Sequence, residues 1–417
     1  MRAMKDSGIP WIGEIPEGWN CARMKQIGKY VNGYAFKPED WGNSGKPIIR
    51  IQDLTGSNNS PNYYEGDIDE KYLIKNGDIL VSWAATLDAF IWGNGEGWLN
   101  QHIFKAIPNT SIQKDFFFWL LKVAMSHMNN DNKHGIVMQH LTLNVFGNFI
   151  IPIPPLAEQQ RIAEFLDRKC AEVDEMIALQ EQIIEELKAY KQSVITEAVT
   201  KGLNPAAPMR DSGIKWIGQI PEHWEVEQFR RLFDIKKIIA NELGYDVLSV
   251  TQGGLKVKDI STNEGQMAQD YSKYQLVGID DYVMNHMDLL TGFVDCSKQI
   301  GVTSPDYRVF KAKHKSDISL PFFLRIFQTC YKLRIFYHLG QGVAGMGRWR
   351  LPAEQLKLFL LPIPPLAEQQ AIADYLDEKC ADIDSLIQTK QSKIDSLKEY
   401  KKSIIYEYVT GKQEVNE

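Results

Sequence analysis

The sequence predicts an α+β protein: two pseudo-repeated, mixed α/β globular segments separated by two long antiparallel helices that form a coiled-coil-like pair. Three observations predict it. The decapeptide Ile151–Gln160 (IPIPPLAEQQ) returns with one change as Leu361–Gln370. Each copy opens a helical pattern free of Gly and Pro that runs to Thr200 or Thr410. The head peptide Asp6–Trp19 (DSGIPWIGEIPEGW) returns as Asp211–Trp224 (DSGIKWIGQIPEHW). The repeating unit is therefore head peptide, variable segment, Pro-rich stop and long helix. The expected division is 1–150 for the first head and globular domain and 151–201 for the first helix. Residues 202–360 then hold the linker, second head and second domain, and 361–417 the second helix with its tail.

The head peptides, broken by Gly and Pro, read as irregular packed segments rather than regular elements. In the first globular segment Ile48–Ile51, Asp78–Trp83 and Trp98–Phe104 are β-type runs bounded by turn residues, and Phe116–Met125 is a buried helix. A loop over 133–139 leads into a short helix around Leu141–Phe146. The second segment repeats this plan with little letter identity: strands at Tyr245–Val250, Asp281–Asn285 and Tyr307–Lys311, a helix at Pro321–Gln328, and a Gly-rich loop before Leu351.

Each long helix starts sharply, because Pro155 and Pro365 are tolerated in a first turn and Pro154 and Pro364 block helix before it. Glu158 and Glu368 meet the positive end of the helix dipole, and Gly202 is a natural stop. At ~1.5 Å per residue each helix is a rod of roughly 65 Å, too long to bury its apolar stripe alone. A heptad places Leu166, Val173, Gln180, Leu187 and Val194 on one seam and Leu376, Ile383, Lys390, Leu397 and Ile404 on the other, with Ile162, Met176, Ile183 and Tyr190 filling intermediate positions of the first. Such a stripe wants a helical partner, and the nearest is the other copy. Gln180 and Lys390 either fix the register of the seam or reach out to solvent.

The net charge is −6, but the acid is unevenly placed. Residues 156–201 carry ten Asp/Glu against six Lys/Arg, whereas 225–360 carry eighteen Lys/Arg against fifteen Asp/Glu. This permits nucleic-acid binding by the globular parts without the strong basic footprint of a stand-alone binder. Five scattered cysteines without a C-x-x-C pair, and no signal-peptide or membrane-spanning pattern, suggest reduced thiols in a cytoplasmic protein. Cys170 and Cys380 read as small packing residues.

No catalytic constellation emerges. There is no phosphate-binding G-x-x-x-x-G-K-[ST] loop, no amino-methyltransferase tetrapeptide, and no His/Cys spacing for a metal. What remains suits a DNA reader, since major-groove recognition uses Arg or Lys for guanine and Asn or Gln for adenine. The candidates are Arg50, Gln52, Lys133, His134 and Gln139 in the first segment, and Gln252, Lys256, Lys298, Arg348, Trp349 and Arg350 in the second. Taken singly, each reads first as a solvated surface side chain, and the stronger signal is the paired placement of the two loops ahead of the long helices.

Two P-x-P-P-L-x-E-Q-Q stretches opening long helices, each preceded by a D-S-G-I-x-W-I-G-x-I-P-E-x-W head, make the whole chain resemble the specificity subunit of a type I restriction–modification enzyme. The resemblance implies that the globular segments are target recognition domains, each reading half of a bipartite double-stranded DNA target, and that the helices set the spacer. It implies a subunit without catalytic activity, metal or cofactor of its own. Two methyltransferase subunits would carry S-adenosylmethionine and methylate adenine, and restriction subunits would use ATP and Mg. Only the loops at 133–139 and 342–350 map as regions, because the recognition domains diverge. A stand-alone DNA enzyme would need the missing motifs. A coiled-coil scaffold with protein-binding domains is the remaining alternative, and it predicts no sequence-selective DNA binding.

Overall fold

The structure, a computed structural model, describes residues 2–57, 60–84, 87–133, 143–259, 270–342 and 349–415, the side chains of 130–133 excepted. The chain folds as two compact units, Met1–Glu181 with Ser392–Glu417, and Gln182–Gln391. Each unit holds one head peptide, one globular segment, the N-terminal half of the long helix that follows it and the C-terminal half of the other. The long helices are Leu156–Lys201 and Leu366–Val409.

In the first unit β1 (Gly28–Asn32), β2 (Ile79–Ser82), β3 (Asp88–Ile91) and β4 (Ile103–Pro108) form an antiparallel sheet in the order β1-β4-β2-β3. Helix α1 (Lys114–Lys133) packs on β3, and Lys122 Nζ reaches Asp88 at 2.9 Å. A second sheet is ordered Asn62–Tyr64, Lys46–Ile49, Gly97–Leu99, Leu73–Ile74, and its central pair is parallel. Trp19, Phe104, Phe116, Phe117 and Phe146 are fully buried in one cluster with Leu166, Ile404 and Val409.

The second unit repeats the plan. Strands β5 (Phe233–Lys236), β6 (Tyr282–Met284), β7 (Val294–Cys296) and β8 (Arg308–Ala312) are ordered β5-β8-β6-β7, and α2 (Leu320–Lys332) packs on β7. The core is more aromatic: Phe233, Tyr282, Phe310, Phe323 and Phe327 meet largely edge-to-face, with centroids 4.9–6.4 Å apart. Such contacts add about 0.5–1.5 kcal/mol each beyond burial. The α+β class and the internal repeat read from the sequence are borne out.

Several local expectations need correction. The heads are not irregular: Met4–Ile9 pairs with Gly13–Pro16, and Met209–Asp211 with Gln219–Pro221, as antiparallel ladders. The run Trp98–Phe104 is two strands, broken by a turn in which Ile103 N donates to Asn100 O at 3.1 Å. The strand at Ile48 ends at Ile49, because Asp53 accepts from Arg50 N at 2.8 Å and closes a helical turn at Ile51–Leu54. Helix α1 extends well beyond Met125, and the short helix expected around Leu141–Phe146 is Leu143–Asn148. Residues just before and within each decapeptide form a strand, Ile150–Ile153 on Asn20–Arg23 and Leu360–Ile363 on Glu225–Gln228.

The decapeptide also clamps each unit through side chains. Gln159, 1% exposed, accepts from Gln113 N at 2.8 Å and donates to Pro154 O at 2.9 Å. Gln369 does the same for Ser319 N at 2.8 Å and Pro364 O at 2.9 Å. Each glutamine thus ties the start of the domain helix to the start of the long helix, satisfying an amide that has no intrahelical partner. Glu158 accepts from Trp19 Nε1 at 2.9 Å and pairs with Arg2, whereas Glu368 meets His223 Nε2 at 2.8 Å. Gly202 and Gly411, both at φ +76°, end the long helices in the left-handed conformation that favours glycine.

Within each unit the helix halves run antiparallel. In the first, Phe165 meets Tyr408 with centroids 4.3 Å apart and Asp174 meets Lys401 at 2.6–2.7 Å. In the second, Lys191 meets Asp384 at 2.6–2.7 Å and Gly202 lies against Glu368. Leu166, Val173, Gln180, Leu376, Ile383 and Ile404 are buried, and Leu187, Val194, Lys390 and Leu397 are half-buried. The intermediate column differs from expectation: Met176 and Tyr190 are exposed, and Ile177 and Ile184 are buried one position further along. The seven-residue spacing itself is kept: Cys170, Ile177 and Ile184 form the second column beside Leu166, Val173 and Gln180, so the seam lies on the other side of that column from the one expected.

Candidate nucleic-acid interface

At one edge of the first sheet three chain segments converge. β2 ends into Trp83, β4 begins after Gln101 and His102, and the parallel pair ends at Arg50 and Asn100. Asn100 N donates to Ile49 O at 3.2 Å, and Trp83 N to His102 O at 3.3 Å. The Trp83 and His102 rings lie 5.4 Å apart, and Gln101 Nε2 is 3.4 Å from His102 Nε2. Gln52 is exposed beside this cluster. Arg50 is committed: it donates to Ser60 O at 3.4 Å, stands 3.9 Å from Asp53 Oδ2 and lies 5.9 Å from the Trp41 ring. Lys133 is the last residue of α1. His134 and Gln139 lie outside the described residues.

The matching edge of the second sheet is a cleft of about 290 Å³. It is lined by Lys236 and Lys237 at the end of β5, His286 after β6, Tyr307 and Arg308 at the start of β8, and Arg350. Leu351 N donates to His286 O at 3.0 Å, and Gln341 and Arg350 exchange backbone hydrogen bonds at 2.8 and 3.0 Å. Burial, reinforced by Arg308, Arg350 and Lys237, pulls His286 down to about 4, so the ring is neutral at neutral pH. Burial also lowers Arg308 to about 10. Arg308 donates from Nη1 to Leu351 O at 3.0 Å. Lys236 pairs with Asp281.

Of the other candidates in this unit, Gln252 donates to Thr291 O at 2.8 Å, on the same β6–β7 loop as His286. Lys256 is exposed on the strand Gly254–Val257. Lys298 is exposed at the opposite end of β6, because Asp280, which precedes that strand, bonds Ser297 O. Trp349 is half-buried, donating Nε1 to Tyr337 O at 2.7 Å and packing against Gly340. Arg348 lies outside the described residues. The structure thus brings Gln252 and Arg350 to one edge and leaves Lys298 away from it. Sequence reasoning missed Trp83, Gln101, His102, Lys236, Lys237, His286 and Arg308. A Lys-Lys pair closing a strand, and an arginine opening a buried one, were the available signals.

A family model described as the type I restriction modification DNA specificity domain matches residues 16–189 and again 221–399. The chain belongs to this family. The type I restriction enzyme EcoBI specificity subunit of Escherichia coli is 27% identical over 400 residues, covering 91% of this chain and 83% of that protein. The MjaVIII specificity subunit of Methanocaldococcus jannaschii is 25% identical over 426 residues, covering 95% and 93%. A chain from a structure of a type I R-M system, solved for its complex assembly and conformational transition, matches with a TM-score of 0.68 at 15% identity over 96% of this chain and 99% of that one. The HsdS subunit of Thermoanaerobacter tengcongensis matches with a TM-score of 0.51 at 15% identity, over 96% and 98%. These structural likenesses concern the fold. The resemblance carried by the decapeptides and head peptides is borne out, and each globular segment belongs to one DNA specificity domain. Among the described residues no helix is long and apolar enough to cross a membrane, and no cluster of three or more His, Cys, Asp or Glu could hold a metal.

Proposed function

We propose that this chain is the non-catalytic specificity subunit of a cytoplasmic type I restriction–modification complex. Each unit reads one half of a bipartite double-stranded DNA target. The long helices set the spacer and dock two methyltransferase subunits, which bring S-adenosylmethionine. Restriction subunits join that complex and bring ATP and Mg-dependent cleavage. The observation that carries this reading is the twofold match to a DNA specificity domain, with polar and basic side chains gathered at the same sheet edge of both units. Arg, Lys, Asn, Gln and His are the groups that hydrogen-bond base edges and phosphates.

The docking role is supported by the outward faces of the long helices. Met176 and its repeat Leu386 are 39% and 51% exposed, and Tyr190 and its repeat Tyr400 are 51% and 45% exposed. Large apolar groups left exposed at the same repeat positions of both helices suit two copies of one partner. The spacer role rests on length: half-sites on one face of DNA are about one turn, ~34 Å, apart, within the reach of rods of this size.

Exchanging residues 20–150 for those of a relative tests the two-reader arrangement. With the methyltransferase present, one half-site changes and the other stays. A change in both half-sites refutes it.

A further inference from the structure

The sheet edges of the two units are built alike but charged differently. β5 pairs with β8 so that Lys236 faces Val309, and β1 pairs with β4 so that Asn32 faces Phe104. Met284 faces Arg308 in one sheet, and Ser82 faces Ile103 in the other. By this register Lys236, Lys237, His286 and Arg308 stand where the first unit has Asn32, Gly33, Ala84 and Ile103. None of these four positions in the first unit carries a cation.

Four of the side chains lining the second unit's cleft are cations, and one, Asp306, is a carboxylate. Lys236 is neutralised by Asp281. Arg308, only 8% exposed, has no carboxylate partner among the described residues, and its hydrogen bond to Leu351 O goes to a neutral carbonyl. A buried guanidinium without a counter-charge is costly unless an anion completes it. Lys237 and Arg350, exposed at the rim, have no ion pair among the described residues. Their ammonium and guanidinium groups are donors only, as is Arg308, which suits a ligand that only accepts. A phosphate diester is such a ligand. The cleft stands at the sheet edge proposed to face DNA.

We propose that the cleft of Arg308, Lys237, Arg350 and His286 seats a backbone phosphate of the DNA at the second half-site, so that the two units grip DNA unequally. The second unit supplies a phosphate anchor there, and the first meets DNA at the same edge with Asn32, Trp83, Gln101 and His102. This rests on the DNA-reading role proposed above.

The test uses the complex of this chain with its methyltransferase and duplexes carrying the split motif mapped for the unaltered protein. Lys237→Gln and Arg350→Gln, both exposed, are made singly and together, and Arg308→Gln separately. Loss of the anchor weakens binding about tenfold at low salt. It lowers the slope of log affinity against log salt by about 0.9. The loss is equal for matched duplexes and for those mismatched at any base of the second half-site. Lys105→Gln in the first unit leaves the slope unchanged, because Lys105 is held by Asp78 at 2.7 Å. An unchanged slope and affinity in the double variant overturns the anchor. So does a loss confined to one base pair, which means that the cleft reads a guanine edge instead. If no split motif depends on this chain at all, the DNA-reading role itself has failed.

Discussion

Replacing Gln369 by Met isolates the clamp between decapeptide and domain. Met preserves length and most of the volume but removes the acceptor for Ser319 N and the donor for Pro364 O, bonds of 2.8 and 2.9 Å in a site only 1% exposed. Removing one side chain leaves two backbone groups without partners. Each buried unsatisfied group costs about 1–3 kcal/mol. Partial relaxation of the helix start lets water reach one of them, so the loss is about 2–4 kcal/mol rather than the full sum. Gln369→Glu keeps the acceptor but faces Pro364 O with a carboxylate oxygen, and is destabilising as well. Urea unfolding followed by fluorescence, with Trp224 in the same core cluster as the start of the long helix, measures the shift. Gln159→Met gives a similar loss in the first unit. A change below about 0.5 kcal/mol in both variants refutes the clamp.

Further outcomes follow from the same geometry. Gly411→Ala places a Cβ 2.5 Å from Pro16 Cδ at φ +76°, so it lowers stability by more than the ~1 kcal/mol expected for strain alone; thermal denaturation reads this. Lys401→Ala breaks an exposed pair with Asp174, and costs under about 1 kcal/mol, fading in high salt. His286 is held below its ordinary value in the fold, so the unfolded chain takes up its proton first. Its stabilising effect is present above pH 6.5 and is lost as the pH falls from 6.5 towards 4. For this partly exposed ring the loss is about 1–2 kcal/mol after solvent screening. His286→Asn abolishes that share of the acid sensitivity, as denaturation at pH 7.5 and 4.5 shows.

The frame was legible because it is written twice. Pro154-Pro155 and Pro364-Pro365 stop and start helices by local sterics alone, and a repeated heptad needs no knowledge of the partner. The function of the glutamine was not legible. Gln159 acts on Gln113 and Gln369 on Ser319, each about fifty residues away, and no local pattern records such a bond. The second column of the seam was misplaced because apolar residues flank the first column on both sides: Cys170, Ile177 and Ile184 are buried at the same seven-residue spacing, whereas Met176 and Tyr190 face outward. Arg350 was legible but its company was not, because Lys236, His286 and Arg308 come from other segments, brought to it by strand pairing and by the bond from Leu351 N to His286 O. Trp349 drew attention as an aromatic in a Gly-rich loop, but Gly340 leaves the room that packs it down and Tyr337 O takes its N–H.

The most direct measurement is genome-wide mapping of adenine methylation in cells that carry this chain with its neighbouring methyltransferase, against cells that lack only this chain. The account predicts a split motif, two short half-sites around a fixed spacer, methylated only when the chain is present. The same methylated sites in both strains, with the methyltransferase active in each, would contradict it.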